Sequence, residues 1–235
     1  MINNYDIYNK RMDKSFQDKL FFLDKIKDNV EAIVDFGCAD GALIRHLSEL
    51  TNTKLVGYDS DYNMIDIANS KTNKDNCLFK EDFGEIIEEE IIPQESLLNI
   101  SSVIHEVYSY LDSKDIEIFW NMVLDSNFKY ISIRDLCTSE SINRPSNIND
   151  YTKLIQKAKP RFLSDFESVW GSVRENYFGL SLERLLSKIP MDKYEIVYFE
   201  NYILPYTASK IKEDFDIELH DNTHVKLLLK KRDLE

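Results

Sequence analysis

The sequence predicts an α/β fold in which helices pack on both faces of a parallel sheet. An apolar run at 33–36 leads into a loop of small residues, and a helical pattern begins at Ala42. A second apolar run, Lys54 to Tyr58, ends in Asp59 and is followed at once by another helical pattern. Short strands that alternate with helices are typical of doubly wound sheets. Ligands of such sheets bind where the strands end, so the first loop is the predicted site.

That loop carries small residues at every second position. Gly37, Ala39 and Gly41 let the backbone turn sharply and let a ligand lie directly on it. Asp35 and Asp40 add two carboxylates, which would repel a pyrophosphate at the start of the helix. They would suit a cofactor that bears an ammonium and a sulfonium. The loop therefore favours a cation-bearing adenosine over NAD.

The loop resembles motif I of the class I, or Rossmann-like, S-adenosylmethionine-dependent methyltransferases, whose pattern is acid-x-Gly-x-Gly-x-Gly. Here the pattern reads Asp35-x-Gly37-x-Ala39-x-Gly41, with alanine in place of the middle glycine. Asp59, which lies 22 positions after Gly37, resembles the acid that accepts both hydroxyls of a ribose. The resemblance implies S-adenosylmethionine as cofactor and S-adenosylhomocysteine as product.

Two further motifs extend the resemblance. A third strand at 77–79 is followed by Asp82 and Phe83, which the family likeness assigns to the adenine amino group and ring. The alternative role for Asp82 is a helix N-cap. A fourth strand at 96–102 would end beside the transferable methyl group. The resemblance covers residues 31–136 well and the last strands loosely.

The resemblance implies a set of cofactor contacts at the ends of the first, second and fourth strands. Asp35, Gly37 and Gly41 would hold the methionine end, and Asp59 would hold the ribose. The predicted cofactor-binding residues are Asp35, Gly37, Cys38, Ala39, Gly41, Asp59, Ser60, Met64, Asp82, Phe83, Ser101 and Ser102.

The predicted catalytic residues follow the fourth strand. A hydroxyl or protonated amine acceptor needs a base, and His105 and Glu106 stand where the family likeness places the acceptor. The alternatives are a core or helix-cap histidine and a surface acid. Because His105-Glu106-x-x-Ser109 lacks the second histidine of a zinc protease motif, no metal site is expected. His224, at the start of the last strand-like run, is a weaker candidate.

The net charge of the chain indicates which classes of acceptor it favours. The net charge of −13 repels phosphate backbones, which argues against nucleic acid as the acceptor. The best basic cluster is Lys153, Lys157, Lys159 and Arg161, and a solvated helix face explains it more simply. We therefore expect a small-molecule, metabolite-like acceptor. An RNA, DNA or protein methyltransferase and a non-catalytic cofactor-binding module remain alternatives.

The cysteines and the N-terminus favour the cytoplasm. Cys38, Cys77 and Cys137 are far apart and show no paired spacing, which is typical of free thiols in a reducing compartment. The first residues lack the apolar core of a signal peptide, and no run approaches a membrane span. No membrane partner is expected.

We expect a single domain over residues 1–235. A helix over 7–28 precedes the first strand, and the resemblance implies that it folds over the cofactor. The candidate contacts on it, for which plain surface or packing roles are the alternative, are Tyr8, Met12 and Lys19. A helix over 114–124 and a fifth strand at 129–133 follow the motifs.

The least regular part of the sequence is 137–190, where the expected fold needs only one helix between its fifth and sixth strands. We therefore predict a helical insertion. It is either a lid over the substrate or a unit with its own core or homodimer surface, and its aromatic residues are Phe162, Phe166, Trp170, Tyr177 and Phe178. The runs 194–202 and 224–229 match the final hairpin of a seven-stranded sheet whose last strand is antiparallel.

Overall fold

The computed structural model describes residues 16–142, 144–145, 147–157 and 179–233. Within these ranges one sheet has the strand order β3-β2-β1-β4-β5-β7-β6. Its strands are β1 Ala32–Phe36, β2 Lys54–Tyr58, β3 Cys77–Lys80, β4 Leu97–Ser101, β5 Tyr130–Leu136, β6 Tyr194–Tyr202 and β7 His224–Lys231. β7 runs antiparallel to both of its neighbours, β5 and β6, while β1 to β5 pair in parallel. The predicted mostly parallel sheet with an antiparallel last strand is confirmed.

Helices pack against both faces of this sheet. The described helices are α1 Phe16–Lys19, α2 Ala42–Leu47, α3 Tyr62–Lys71, α4 Phe83–Glu85, α5 Ile104–Tyr110, α6 Ser113–Asp125, α7 Ile148–Lys157, α8 Leu182–Ser187 and α9 Pro205–Phe215. A π-helical turn, Ile86–Glu90, continues α4, and short 3₁₀ turns lie at Pro93–Glu95 and Glu140–Ile142.

β1 separates two hydrophobic cores because its side chains alternate between the faces of the sheet. Val34 and Phe36 belong to the core beneath α5 and α6, while Ile33 belongs to the core beneath α2 and α3. All five β1 residues are buried, as expected for a central parallel strand. Asp35 lies on the Ile33 face, directly between Gly57 of β2 and Asn99 of β4.

The predicted helix over 7–28 is wrong beyond Lys19, and residues 7–15 lie outside the described ranges. After α1 the backbone forms turns, with the Leu23 N–H donating to the Leu20 carbonyl at 3.0 Å. Lys19 to Phe22 are four consecutive buried residues. One face of a helix cannot bury four consecutive side chains, because each residue turns by about 100°. The helix therefore ends at Lys19, where this buried run begins.

The structure corrects one expectation about the second half and leaves the other, the insertion, as a prediction. β6 and β7 are antiparallel neighbours as predicted, but α9 lies in the connection between them, so they are not a tight hairpin. The expected insertion contains α7 and α8 among its described residues, whereas its aromatic residues, Phe162 to Phe178, lie outside them. Within the described ranges, no helix has the length and apolar character that a membrane crossing requires.

Candidate cofactor site

A cavity of about 510 Å³ lies at the carboxyl ends of β1, β2 and β4. This volume is in the range of small-molecule sites. The predicted site residues in its wall are Asp35, Gly37, Cys38, Ala39, Asp59, Ser60, Ser101, Ser102 and Glu106. The structure therefore brings together most of the residues chosen from the sequence. Gly41, Met64, Asp82, Phe83 and His105 are not part of this wall.

The loop after β1 has left-handed backbone at alternate positions. The φ angles are 77° at Gly37, 47° at Ala39 and 76° at Gly41. Any Cβ on Gly37 would lie 2.5 Å from Cγ2 of Val103, so glycine is required there by space as well as by φ. Ala39 fits in size, but as an L-residue in this region it costs about 1–2 kcal/mol. Gly41 is equally constrained by Phe79, which would lie 2.7 Å from an added Cβ and holds α2 close to the sheet.

Two oppositely charged residues, Asp35 and Lys19, line the cavity. Asp35 is buried, and its Oδ1 accepts a hydrogen bond from Nδ2 of Asn99 at 2.8 Å. Burial raises the pKa of Asp35 to about 6, although Asn99 and Lys19 both oppose the rise. Lys19 is only 4% exposed, and burial lowers its pKa to about 8 against the attraction of Asp35. Both side chains line the same cavity.

Asp59 lies in the cavity wall, directly after β2. Its Oδ2 accepts the N–H of Ala39 at 2.8 Å, and its Oδ1 accepts the N–H of Asp61 at 3.0 Å. The carboxylate therefore joins the first loop to the start of α3. It is only partly buried and lies beside Ser60, so a ligand in the cavity can also reach it.

The cavity wall also contains apolar and aromatic residues. Phe36 and Tyr58 have ring centroids 4.6 Å apart, and Phe119 lies 5.9 Å from Phe36. Further apolar wall residues come from α5, α6 and the turn between them, and they are Val107, Tyr110, Leu111 and Met122. Sequence reasoning missed these residues. The signal for Phe36 was available, because strand alternation places it on the face opposite Asp35.

Two residues predicted to touch adenine have other roles in this structure. Oδ1 of Asp82 accepts the N–H groups of Gly84 at 2.7 Å and Glu85 at 3.2 Å, which makes Asp82 the N-cap of α4. Phe83 is buried, with its ring 5.1 Å from Phe36 and 5.3 Å from Tyr58. It packs behind two rings that line the cavity.

The two predicted catalytic residues face different surroundings. Glu106 lines the cavity, on the same side of α5 as Val103, Val107 and Tyr110. His105 is buried and points the other way, with Nδ1 2.6 Å from Oδ1 of Asp135. The structure therefore places Glu106, rather than His105, in the wall of the cavity.

Asp135 holds the start of α5. Its Oδ2 accepts the backbone N–H groups of Val103 at 3.0 Å, Ile104 at 2.6 Å and His105 at 3.3 Å. No side chain of the preceding residues caps this helix, so a residue of β5 supplies the cap. Asp135 is fully buried, and sequence reasoning missed its role.

A second group of charged side chains, centred on Arg134 and Asp18, lies beside Asp135. Ser102 has φ 62°, and its Oγ accepts a hydrogen bond from Nη1 of Arg134 at 3.1 Å. Nε of Arg134 donates to Oδ2 of Asp18 at 2.8 Å. The same carboxylate receives the Tyr202 hydroxyl at 2.6 Å and the Lys226 ammonium at 2.8 Å. These contacts attach the segment that carries α1 to β5, β6 and β7.

The weaker candidates do not join the cavity wall. Burial, reinforced by Arg134, lowers the pKa of His224 to about 3, and its Nδ1 lies 2.8 Å from the Thr223 hydroxyl. In the basic cluster, Lys153 donates to the backbone carbonyl of Asp216 at 2.8 Å, while Lys159 and Arg161 are outside the described ranges. Among the described residues, no group of three or more His, Cys, Asp or Glu side chains could hold a metal ion.

No protein-family model and no curated protein sequence matches the chain. Solved structures do match. The plantazolicin methyltransferase BamL, in complex with a triazolic desmethylPZN analog and S-adenosylhomocysteine, is 15% identical with a TM-score of 0.59, over 97% of this chain and 88% of that chain. Geranyl diphosphate C-methyltransferase from Streptomyces coelicolor A3(2) is 10% identical with a TM-score of 0.57, over 92% of this chain and 77% of that chain.

An S-adenosylmethionine-dependent methyltransferase from Mesorhizobium loti is 13% identical with a TM-score of 0.57, over 88% of this chain and 94% of that chain. At these identities the likeness is one of fold. The chain has the fold of the class I methyltransferases, as the sequence motifs implied.

Proposed function

We propose that this protein is an S-adenosylmethionine-dependent methyltransferase. The observation that carries the proposal is that three kinds of environment line one cavity at the carboxyl ends of β1, β2 and β4. Lys19 and Asp35 are charged residues of the wall, Asp59 adds a carboxylate at the end of β2, and Phe36 and Tyr58 add aromatic rings. S-adenosylmethionine has groups that suit these three environments, namely a zwitterionic amino acid, a ribose and an adenine.

The charges at the loop disfavour a dinucleotide, although less simply than the sequence indicated. Asp40 is neutralised by Lys71 at 2.7 Å and by Arg45 at 3.5 Å, so its carboxylate contributes little to selectivity. Asp35 and Asp59 remain in the wall and would oppose a pyrophosphate on the loop. Preference for a sulfonium cofactor over NAD therefore rests on these two acids.

In this proposal, Asp35 and the loop of Gly37 and Ala39 hold the methionine end, and Asp59 holds the ribose. The adenine lies against the rings of Phe36 and Tyr58, with Phe83 packed behind them. S-adenosylmethionine supplies an electrophilic methyl group on a sulfonium, which needs mainly alignment and exclusion of water.

We further propose a small-molecule acceptor. Structures with this fold include enzymes named for plantazolicin and for geranyl diphosphate, and the net charge of −13 disfavours polyanionic acceptors. The three cysteines are free thiols, which suits a cytoplasmic enzyme. Glu106, in the wall, is positioned to take the proton of a hydroxyl or ammonium acceptor as its bond to the methyl carbon forms. His105 would support that wall from behind.

The test is calorimetric titration of the full chain with S-adenosylmethionine, S-adenosylhomocysteine and NAD. We expect the first two to bind and NAD to bind far more weakly. Asp59→Ala should weaken S-adenosylhomocysteine binding by about 1–3 kcal/mol, since it leaves hydrogen-bonding groups unpaired. Asp61→Ala is the matched control, because Asp61 caps α3 through the Asn63 N–H at 2.9 Å and does not line the cavity.

Three results would count against the proposal. Absence of binding by both sulfur ligands would contradict a cofactor site of this kind. Tight NAD binding would contradict the charge selectivity. An unchanged affinity in Asp59→Ala would contradict the ribose assignment while leaving the rest intact.

A further inference from the structure

A second cavity, of about 720 Å³, lies at the amino-terminal edge of the parallel strands, opposite the cofactor site. Lys129 of its wall directly precedes β5, while Lys230 and Lys231 end β7 and Arg232 follows that strand. Because β7 runs antiparallel to β5, the end of β7 lies beside the start of β5, with Lys230 opposite Tyr130. The topology of the sheet therefore gathers four cations from two distant parts of the chain.

These cations outnumber the acids of the cavity. The wall carries four cations and only two carboxylates, those of Asp28 and Asp233. Oδ2 of Asp28 lies 2.8 Å from Nζ of Lys230 and 3.9 Å from Nζ of Lys129, so one carboxylate is shared by two ammonium groups. The cavity therefore keeps a surplus of positive charge, in a chain whose net charge is −13.

The surplus belongs to two cations that are held by neutral acceptors. Nζ of Lys231 donates to Oδ1 of Asn127 at 2.9 Å. Nε of Arg232 donates to the backbone carbonyls of Met191 at 3.0 Å and Tyr194 at 3.3 Å. In the part of the chain that the structure describes, no carboxylate forms an ion pair with either cation, and no acceptor takes a hydrogen bond from the terminal nitrogens of Arg232. The guanidinium is therefore oriented through Nε, while its planar pair of terminal donors faces no other partner.

A phosphate group matches this set of donors. Its several charged oxygens can accept a bidentate contact from a guanidinium together with single contacts from ammonium groups. The side chains of Lys129 and Lys230 are only 28% and 29% exposed, so the structure already holds most of their length in place. Side chains that are ordered before binding lose less entropy when a ligand arrives.

The surroundings of the cavity favour a small anion over a nucleic acid. Exposed Glu95 directly follows Gln94 of the wall, and exposed Glu195 is the register partner of Lys230. With Asp233, these carboxylates would repel phosphates that extend beyond the cavity. A nucleic acid would carry many such phosphates, whereas a small molecule would place its phosphate on the cations alone.

We propose that this cavity is a second binding site, which takes the phosphate group of a small molecule. Arg232 and Lys231 contact the phosphate oxygens, and Lys129 and Lys230 add positive charge. Asp28 opposes binding, because its carboxylate already occupies the two lysines. The site is separate from the cofactor cavity and does not depend on the proposed function.

The experiment is calorimetric titration of the full chain with pyrophosphate, in the absence of divalent cations. We expect saturable binding that Arg232→Gln and Lys231→Gln each weaken by about 10-fold to 100-fold, the usual effect of losing a charge-assisted hydrogen bond. Arg144→Gln is the matched control, because this exposed arginine pairs with Asp221 and does not line the cavity. It should leave the affinity unchanged.

Asp28→Asn should change the affinity in the opposite direction. It removes the carboxylate that opposes the anion but keeps an acceptor for the Tyr130 hydroxyl, which lies 2.8 Å from Oδ2. Pyrophosphate should bind about twofold to fivefold more tightly, as expected for one partly exposed charge. A purely structural role of the cluster predicts no such gain.

Two further titrations use the wild-type protein. Pyrophosphate should bind equally well in the presence of saturating S-adenosylhomocysteine, because the two cavities lie at opposite edges of the sheet. A single-stranded oligonucleotide should bind more weakly than pyrophosphate. If S-adenosylhomocysteine itself fails to bind, the proposed function is wrong, and the variants alone decide the phosphate site.

Three results would overturn the phosphate site. The first is absence of pyrophosphate binding, or equal binding by the wild type and both the Arg232 and Lys231 variants. The second is displacement of pyrophosphate by S-adenosylhomocysteine, which would place the anion on the loop after β1. The third is tighter binding of the oligonucleotide, which would make this surface a nucleic-acid site rather than a small-molecule site.

Discussion

The β1–β4 half of the sheet and the β5–β7 half place their polar groups in different ways. Around β1 the polar groups are positioned mainly by backbone conformation and backbone hydrogen bonds. Gly37 and Gly41 adopt left-handed φ, and the Gly37 N–H donates to the Tyr58 carbonyl at 2.8 Å. Around β5 the polar groups are positioned by contacts between charged side chains. Arg134 and Asp135 are buried on adjacent strand positions and hold partners from distant parts of the chain.

This difference explains why one half could be identified from the sequence and the other could not. A site built from backbone needs particular small residues at fixed spacing, which leaves a local pattern. A site built from side-chain pairs needs only that opposite charges meet in space. Asp18 and Arg134 are 116 positions apart, so no local spacing reveals the pair.

The largest expected effect on stability is in the β5–β7 half of the sheet. Asp135→Ala should lower the free energy of unfolding by about 3–5 kcal/mol, the usual cost of removing one partner of a buried polar network. It would leave His105 and the backbone donors at the start of α5 without their acceptor. Urea denaturation measures the change. Asp125→Ala, at a side chain that is 71% exposed, should cost less than about 1 kcal/mol, and similar losses in both variants would contradict the role of Asp135.

In the β1–β4 half, Gly37→Ala should lower the free energy of unfolding by about 2–5 kcal/mol, because the strain of left-handed backbone adds to that of an overpacked contact with Val103. The variant should also lose cofactor binding. Gly84→Ala is the control, since its Cβ would meet only the Asp82 side chain at 3.1 Å and its φ is not left-handed. A Gly37→Ala variant with wild-type stability and affinity would show that the loop is not held as described.

The buried carboxylate in the cavity wall should make cofactor affinity depend on pH. Burial raises the pKa of Asp35 to about 6, so the side chain becomes protonated below that pH and can no longer attract an ammonium. Affinity for S-adenosylhomocysteine should therefore decrease below about pH 6, by up to about tenfold per pH unit.

Calorimetry across pH 5 to pH 9 measures this profile. Affinity for 5′-methylthioadenosine, which keeps the adenosine and the sulfur but lacks the amino-acid end, should vary much less. A flat profile for S-adenosylhomocysteine would argue against the contact between Asp35 and the ammonium.

The smallest effect should come from restoring the family pattern. Ala39→Gly relieves about 1 kcal/mol of left-handed strain but gives the unfolded chain more freedom, so stability should change by less than about 0.5 kcal/mol. The Asp59 contact uses the backbone N–H of residue 39 and should survive, leaving S-adenosylhomocysteine affinity unchanged. A large gain in affinity would mean that the Ala39 methyl group obstructs the ligand.

Local prediction succeeded where burial and periodicity agree along the chain. The second strand, Lys54 to Tyr58, has the predicted bounds, and the helix predicted over 114–124 occupies Ser113–Asp125. It failed at Lys19 to Phe22, where four consecutive buried residues end the helix. The helical spacing of apolar residues in this segment was real, but packing against the sheet outweighed it.

The sequence by itself determined the fold class of this protein and the loop of small residues after its first strand. Alternating apolar runs, glycines at a fixed spacing and acids at strand ends are constraints that act within a few residues of each other, so they can be read in order. Only the tertiary structure decided which charged groups share an environment. It placed Lys19 and Asp35 in the wall of one cavity, separated Glu106 from His105, and made Asp135 the acceptor for the start of α5. These pairings depend on strand order and helix packing, because electrostatic and hydrogen-bond energies depend on distance in space rather than distance along the chain.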